Sequence, residues 1–238
     1  MFPMRCAHGQ VRSRRASRRA RTNDDVDGYF GEAFWNERYR AHGAVWSGEP
    51  NPQLVSEASD LAPAAALDAG CGEGADAIWL AERGWRVTAV DVSTVALERG
   101  AAAAAKAGDG VARRIEWLHE NLTSWTPPES SYDLVSAQFM QLPREPRDAM
   151  FRRLAAAVAP GGTLLVVGHH PSDLQTAVRR PPLPELFFTA EDVVALLDPD
   201  DWKIVVSAAR PRGATDAGGR PATIHDAVVR AQRLRARR

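Results

Sequence analysis

Ala66-Leu67-Asp68-Ala69-Gly70-Cys71-Gly72-Glu73-Gly74 is the stretch on which the fold turns. The apolar residues 65–69 read as a buried strand, 70–74 as a tight turn, and 75–83 as the helix that follows. That order puts the turn at the carboxyl end of a strand, where doubly wound sheets bind their ligands. Glycines at the alternate positions 70, 72 and 74 let the backbone turn sharply and approach a ligand without a Cβ in the way. The spacing is Gly-x-Gly-x-Gly, not the Gly-x-Gly-x-x-Gly that seats a dinucleotide pyrophosphate on a helix N-terminus. Asp68, two residues before the first glycine, repels a diphosphate and attracts an amine.

The next strand outward, 85–91, ends on Asp91, 17 residues beyond Gly74. A carboxylate at that point accepts both hydroxyls of a ribose. The ligand implied has a ribose, no pyrophosphate and a positive group. S-adenosylmethionine meets all three conditions.

Beyond this unit, short apolar runs alternate with helical stretches. The pattern predicts further strands over 115–118, 132–137, 163–167, 202–208 and 223–231, and helices over 93–107, 146–158 and 190–197. Ser93 is the expected N-cap of its helix. Pro160-Gly161-Gly162 reads as a turn into the fifth strand. Ahead of the sheet, 29–40 read as a helix with an aromatic face from Tyr29, Phe30, Phe34 and Trp35. Gly43, Gly48, Pro50 and Pro52 then break the chain into a loop carrying Trp46, and a second helix runs over 52–61. Strand–helix alternation of this kind means an α/β fold, a Rossmann-like, doubly wound, mostly parallel sheet with helices on both faces.

Five segments, in order, resemble a class I S-adenosylmethionine-dependent methyltransferase over about residues 29–235. The glycine turn resembles that family's first motif, and Val90-Asp91-Val92-Ser93 its second. Glu120-Asn121-Leu122 falls where the family commonly places an acid that takes the adenine amine; here Asn121 stands there, an amide whose oxygen still accepts that hydrogen bond. Tyr132-Asp133-Leu134-Val135-Ser136-Ala137 resembles the fourth-strand motif, and Pro160-Gly161-Gly162-Thr163-Leu164 the entry to the fifth strand. The front end, Phe34-Trp35-Asn36-Glu37-Arg38-Tyr39 followed by Trp46 and Asn51-Pro52, looks like the tellurite-resistance and thiopurine methyltransferase branches. The resemblance implies a seven-stranded sheet with an antiparallel strand near the C-terminus. It also implies that the front helix and its aromatic loop fold over the donor, with Trp46 near the sulfonium in a cation–π contact. The expected donor-binding set is Trp46, Asp68, Gly70, Cys71, Gly72, Glu73, Gly74, Asp91, Val92, Asn121, Leu122 and Gln138.

Composition limits the alternatives. Among 238 residues, 45% hydrophobic and 25% charged, no stretch is long and apolar enough for a transmembrane helix. Two cysteines, Cys6 and Cys71, provide no disulfide framework and no cysteine-built zinc site, which fits a reducing, cytoplasmic setting. Cys71 itself reads as a small buried residue. The net charge of zero hides a division: residues 1–22 hold seven arginines and no acid, 230–238 hold five, and 23–229 hold 18 basic against 30 acidic residues. So acidic a body is a poor match for a phosphate backbone. The expected organisation is a disordered Arg-rich arm over 1–24 and one domain over 25–235, with 25–62 as a helical cap and 63–235 as the core. A monomer or homodimer is expected.

The histidines at 8, 42, 119, 169, 170 and 225 form no pair with metal-ligand spacing. His169-His170 follow the fifth strand at the ligand edge, where a histidine either serves as a base or holds a loop by hydrogen bonding. Phe139 and Gln141 lie on the same edge after the fourth strand; no catalytic residue is named. The expected activity is methyl transfer to a small-molecule nucleophile. The alternatives are a donor-binding module without activity and a nicotinamide-dependent oxidoreductase, the latter disfavoured by the glycine spacing and Asp68.

Overall fold

The computed structural model describes residues 30–180 and 183–235. The expected arm over 1–24 lies outside the described residues. The ordered elements begin with helices α1 (Glu32–Ala41) and α2 (Pro52–Ala58). There follow β1 (Ala65–Ala69), α3 (Ala75–Glu82), β2 (Arg86–Asp91), α4 (Thr94–Ala107), α5 (Asp109–Ala112) and β3 (Ile115–His119). After β4 (Tyr132–Gln138) and α6 (Arg144–Ala157) come β5 (Val158–His169), α7 (Ala190–Val194), β6 (Trp202–Thr215) and β7 (Pro221–Arg233). Short 3-10 turns at Pro171–Gln175 and Pro184–Leu186 lie between β5 and α7.

The strands form one seven-stranded sheet in the order β3-β2-β1-β4-β5-β7-β6. Pairs from β3 through β5 are parallel, while β7 is antiparallel to both β5 and β6. The Rossmann-like sheet and its antiparallel strand are as expected. The order reverses between β1 and β4, so the carboxyl ends of β1 and β2 face a topological switch point, where such sheets hold ligands.

Central strands are buried on both faces, which is why they read as unbroken apolar runs. One core packs Leu67, Val135, Leu164, Val166 and Val229 under Phe151, Leu154 and Phe188. The other packs Ala66, Leu134, Leu165, Val167 and Val228 under Leu54, Leu80 and Trp85. Trp79, Trp85 and Trp202 are buried in these layers, and Trp117 and Trp125 pack against them partly buried.

Several boundaries differ from expectation. The front helix spans Glu32–Ala41 rather than 29–40, and the 190–197 helix stops at Val194. The 52–61 helix stops at Ala58, short of Pro63. The 146–158 helix starts two residues early, at Arg144. The fifth strand starts at Val158, and Pro160-Gly161-Gly162 is an irregularity inside its ladder with β4, where the register shifts between Tyr132 and Leu134. Strands β6 and β7 run past 208 and before 223, because they pair with each other from Trp202↔Arg233 to Thr215↔Pro221 beyond the end of β5. Cross-strand pairing supplies the backbone partners there, so Pro211 and Gly213 do not end the edge strand.

Candidate functional site

The site is built at the carboxyl ends of β1 and β2. The N–H groups of Gly70 and Cys71 both donate to the Val90 carbonyl, at 2.8 and 3.0 Å, which folds the turn back against β2. Gly72 has φ +53, and a Cβ there would lie 3.0 Å from the Tyr39 hydroxyl and 3.2 Å from Trp46 Nε1. Glycine is therefore required both for the backbone and for the close approach of the front segment. Asp91 closes the turn: its Oδ2 accepts from Gly72 N at 2.9 Å and its Oδ1 from Ser93 N at 2.8 Å. Ser93 also caps α4, accepting from Ala96 N at 3.1 Å.

Asp68 is 2% exposed, and its Oδ2 has no hydrogen-bond partner among the described residues. Burial, then the neighbouring Asp76 and Asp91, push its carboxyl well above the usual carboxylate range. Burial also raises Asp91, against the pull of the Ser93, Gly72 and Val92 N–H groups. Asp76, in the first turn of α3, is raised to about 6 by desolvation, with the Asn51 N–H opposing the shift. Three partly desolvated carboxylates around one glycine turn are a place for a cation and a poor one for a diphosphate. The orphaned Asp68 oxygen and the close glycine turn fit the cationic, diphosphate-free ligand expected, S-adenosylmethionine.

The front segment is fastened over this turn. Asn36 of α1 is buried, and its Oδ1 accepts from the Ser93 hydroxyl at 2.7 Å and from Val95 N at 3.3 Å. Tyr39 is buried, and its hydroxyl accepts from Trp46 Nε1 at 2.9 Å. Glu73 accepts from Val45 N and Trp46 N at 3.1 and 3.3 Å and pairs with Arg99 at 2.9 Å. Arg99 in turn donates to the carbonyls of Tyr39 and His42. Trp46 is 48% exposed, and the Arg38 guanidinium lies 5.7 Å from its ring centroid. A cation of the chain's own therefore stands at the ring that was expected near the sulfonium.

The remaining expected residues divide. Val92, Glu120 and Asn121 line one small cavity with Gly31, Glu32 and His119, of about 330 Å³. Asn121 Oδ1 accepts from Thr123 N at 2.9 Å and Thr123 Oγ1 at 2.7 Å, an Asx turn that commits the oxygen expected for adenine. Leu122 is buried in the core beside it. Cys71 is buried, with its thiol pushed well up by burial, so it is not an activated nucleophile. Glu73 holds the front loop rather than facing the turn's interior. Gln138 donates to Ser136 Oγ at 2.8 Å, and its buried Oε1 has no hydrogen-bond partner among the described residues.

Asn36, Tyr39, Asp76, Arg99 and Met140 were not expected at the site. Asn36 and Tyr39 stand inside the quoted front motif, and their spacing of three on a helix places both on one face. Met140 packs with its sulfur over Gly70, where an added Cβ would collide with it. No local pattern in the sequence indicates that contact. Among the described residues no group of three or more His, Cys, Asp or Glu could hold a metal, and no helix is long and apolar enough to cross a membrane.

Residues 66–162 match a methyltransferase domain family. An uncharacterized methyltransferase of Mycobacterium tuberculosis is 37% identical over 101 residues, 42% of this chain and 48% of that protein. A 2-heptyl-1-hydroxyquinolin-4(1H)-one methyltransferase of Mycobacteroides abscessus is 28% identical over 126 residues, 51% of this chain and 54% of that protein. The chain thus spans about half the length of these curated relatives. TehB from Haemophilus influenzae has the same fold, with a TM-score of 0.63 at 20% identity over 84% of this chain and 66% of that one.

Proposed function

We propose, from the premise that this chain carries a class I S-adenosylmethionine-dependent methyltransferase domain, that it methylates a small-molecule nucleophile. The observation that carries the reading is the cluster of Asp68, Asp76 and Asp91 around the glycine turn, with the buried Asp68 Oδ2 unpaired. When bound, S-adenosylmethionine supplies a methyl group on a sulfonium, already electrophilic.

The chain's own residues then bind, orient and exclude water. Asp68 receives the amine, with Asp76 adding negative potential. Asp91 reaches the ribose with the lone pairs that Gly72 N and Ser93 N leave free. Val92 and the backbone at Asn121–Leu122 border the adenine, the Asn121 side-chain oxygen being committed to its own turn. Tyr39 and Trp46 close the turn from outside. The name of the M. abscessus relative makes ring hydroxyls a reasonable first class of acceptor to screen. Two cysteines in the whole chain and the acidic body support a cytoplasmic protein that does not act on nucleic acid.

Titration calorimetry with S-adenosylmethionine on the wild type and on Asp91→Ala tests the reading. Micromolar binding that the substitution abolishes or weakens at least tenfold supports it. No heat and no thermal shift with the wild type would sink it, and binding of a nicotinamide cofactor instead would revive the oxidoreductase alternative.

A further inference from the structure

The buried side-chain polar atoms without a hydrogen-bond partner among the described residues are Asp68 Oδ2, Gln138 Oε1 and His169 Nδ1. They belong to the neighbouring strands β1, β4 and β5, and the register sets them on one face. Asp68 pairs with Ser136 and Ser136 with Leu165, while Gln138 pairs with Val167, two residues before His169. Each buried polar atom left unpaired costs about 1–3 kcal/mol. Three of them along one edge of one face mark a track that a ligand completes. Asp68 serves the donor's amine in the reading above, which leaves Gln138 and His169 for the other reactant.

The surroundings of His169 describe that reactant. Phe139 has φ +53, a left-handed backbone that a non-glycine residue adopts at a cost and that concentrates at functional sites. It sets the Phe139 ring 4.7 Å from the imidazole, and the Phe187 ring lies 6.0 Å from it. The charges facing His169 are already paired. Arg180 donates twice to Asp173 of the first 3-10 turn, and Arg212 of β6 donates to both oxygens of Asp226 of β7. A further ionic group here would be desolvated with no free partner. Burial, then Arg180, push the imidazole down to about 4, so it is neutral near pH 7.

We propose that His169 is the proton acceptor, and Gln138 the hydrogen-bond guide, for a methyl acceptor that is a flat, uncharged ring bearing a hydroxyl group. The inference rests on the methyltransferase reading. The hydroxyl oxygen gains the methyl as its proton passes to Nδ1; sulfur keeps the electron pair of the broken S–C bond and becomes a neutral thioether. The imidazolium then returns the proton to water. A weakly basic imidazole suffices, because an oxygen being methylated becomes a far stronger acid than an imidazolium. Gln141 Nε2 lies 3.3 Å from His169 Nε2; the proposal requires the Gln141 amide in its other orientation, with the oxygen accepting from Nε2–H, so that Nδ1 holds the lone pair.

The test uses the full chain, wild type, His169→Gln and Gln138→Leu, each checked by thermal melting, and four probes on one ring: 2-naphthol, 2-naphthalenethiol, 2-naphthylamine and 2-naphthoate. Binding of each probe to the protein loaded with S-adenosylhomocysteine is read by fluorescence, and methylated product by mass spectrometry. The naphthol should be bound and methylated in preference to the other three. At pH 7 His169→Gln should keep its donor affinity and lose about 100-fold in kcat, with activity recovering at high pH as the naphthol ionises on its own. Gln138→Leu should raise KM for the naphthol. A preference for the amine or the carboxylate, no methylation of any probe by a donor-binding wild type, or unaltered kcat in His169→Gln would each overturn the proposal. A wild type that binds no S-adenosylmethionine would topple the methyltransferase reading as well.

Discussion

Glu73 and Arg99 meet at 2.9 Å, and through that pair the glycine turn, α4 and the front loop hold together as one body. Glu73 takes the N–H groups of Val45 and Trp46 with its other oxygen, and Arg99 takes the carbonyls of Tyr39 and His42. The two residues are 26 positions apart, yet each is half of the clamp on a third segment. Removing either leaves the other's charge without its ionic partner and strips one set of backbone groups, the N–H groups of Val45 and Trp46 or the carbonyls of Tyr39 and His42, of its side-chain bonds.

Glu73→Ala should free the loop around Trp46. We expect a stability loss of about 1–2 kcal/mol, because the lost bonds are charge-assisted but partly solvated. Limited proteolysis should cut between 42 and 50 faster than in the wild type, and S-adenosylmethionine affinity should fall about tenfold. A variant with wild-type cleavage and affinity would mean the loop is not a lid on the donor.

Asp91→Ala strands the N–H groups of Gly72 and Ser93 in a buried turn. Each costs about 1–3 kcal/mol when left unpaired, so the melting temperature should drop by several degrees. Asp91→Asn keeps one acceptor oxygen and should recover about half of that loss while still binding donor weakly. Circular dichroism melts of the two variants read the structural role, and calorimetric titration of each with S-adenosylmethionine reads the ligand role.

Asp76 gives a pH dependence of definite sign. Its carboxyl is raised to about 6 in the folded chain, above its unfolded value. The stability this contributes is fully present below the unfolded pKa and is lost as pH rises through about 6. Asp76→Asn retains an oxygen for the Asn51 N–H but cannot ionise. It should match the wild type near pH 4 and exceed it by about 1–3 kcal/mol at pH 8. Chemical denaturation at the two pH values checks this; equal stability at pH 8 would contradict the desolvation argument.

Gly72→Ala combines a strained φ of +53 with contact to Tyr39 and Trp46. The front segment must move to admit the methyl. We expect a loss of about 1–2 kcal/mol and a red-shifted Trp46 emission, and pairing the change with Trp46→Ala should recover part of the stability. An unshifted emission spectrum would place the loop elsewhere in solution.

The core strands were legible because burial on both faces forces an unbroken apolar run: β1 is at the expected residues, and β2, β3 and β4 are within one residue of them. The ends of β6 and β7 were not, since their extra residues are polar, Pro, Gly or Ala and are held by pairing with each other rather than by local preference. Asn121 was legible as a residue but ambiguous as a group, and only the positions of Thr123 N and Oγ1 decided which partner its oxygen takes.

What the sequence by itself determined is the switch-point turn: alternating glycines, an acid before them and an acid at the end of the next strand are local chemistry, and local chemistry survives any packing. What only the tertiary structure decided is where the side chains from other segments arrive. Asn36 on Ser93, Met140 over Gly70 and the unpaired Nδ1 of His169 beside Phe139 depend on the packing of segments up to 70 residues apart. No periodicity encodes those distances, because they are set by the sheet register and by the volumes that fill the space between layers.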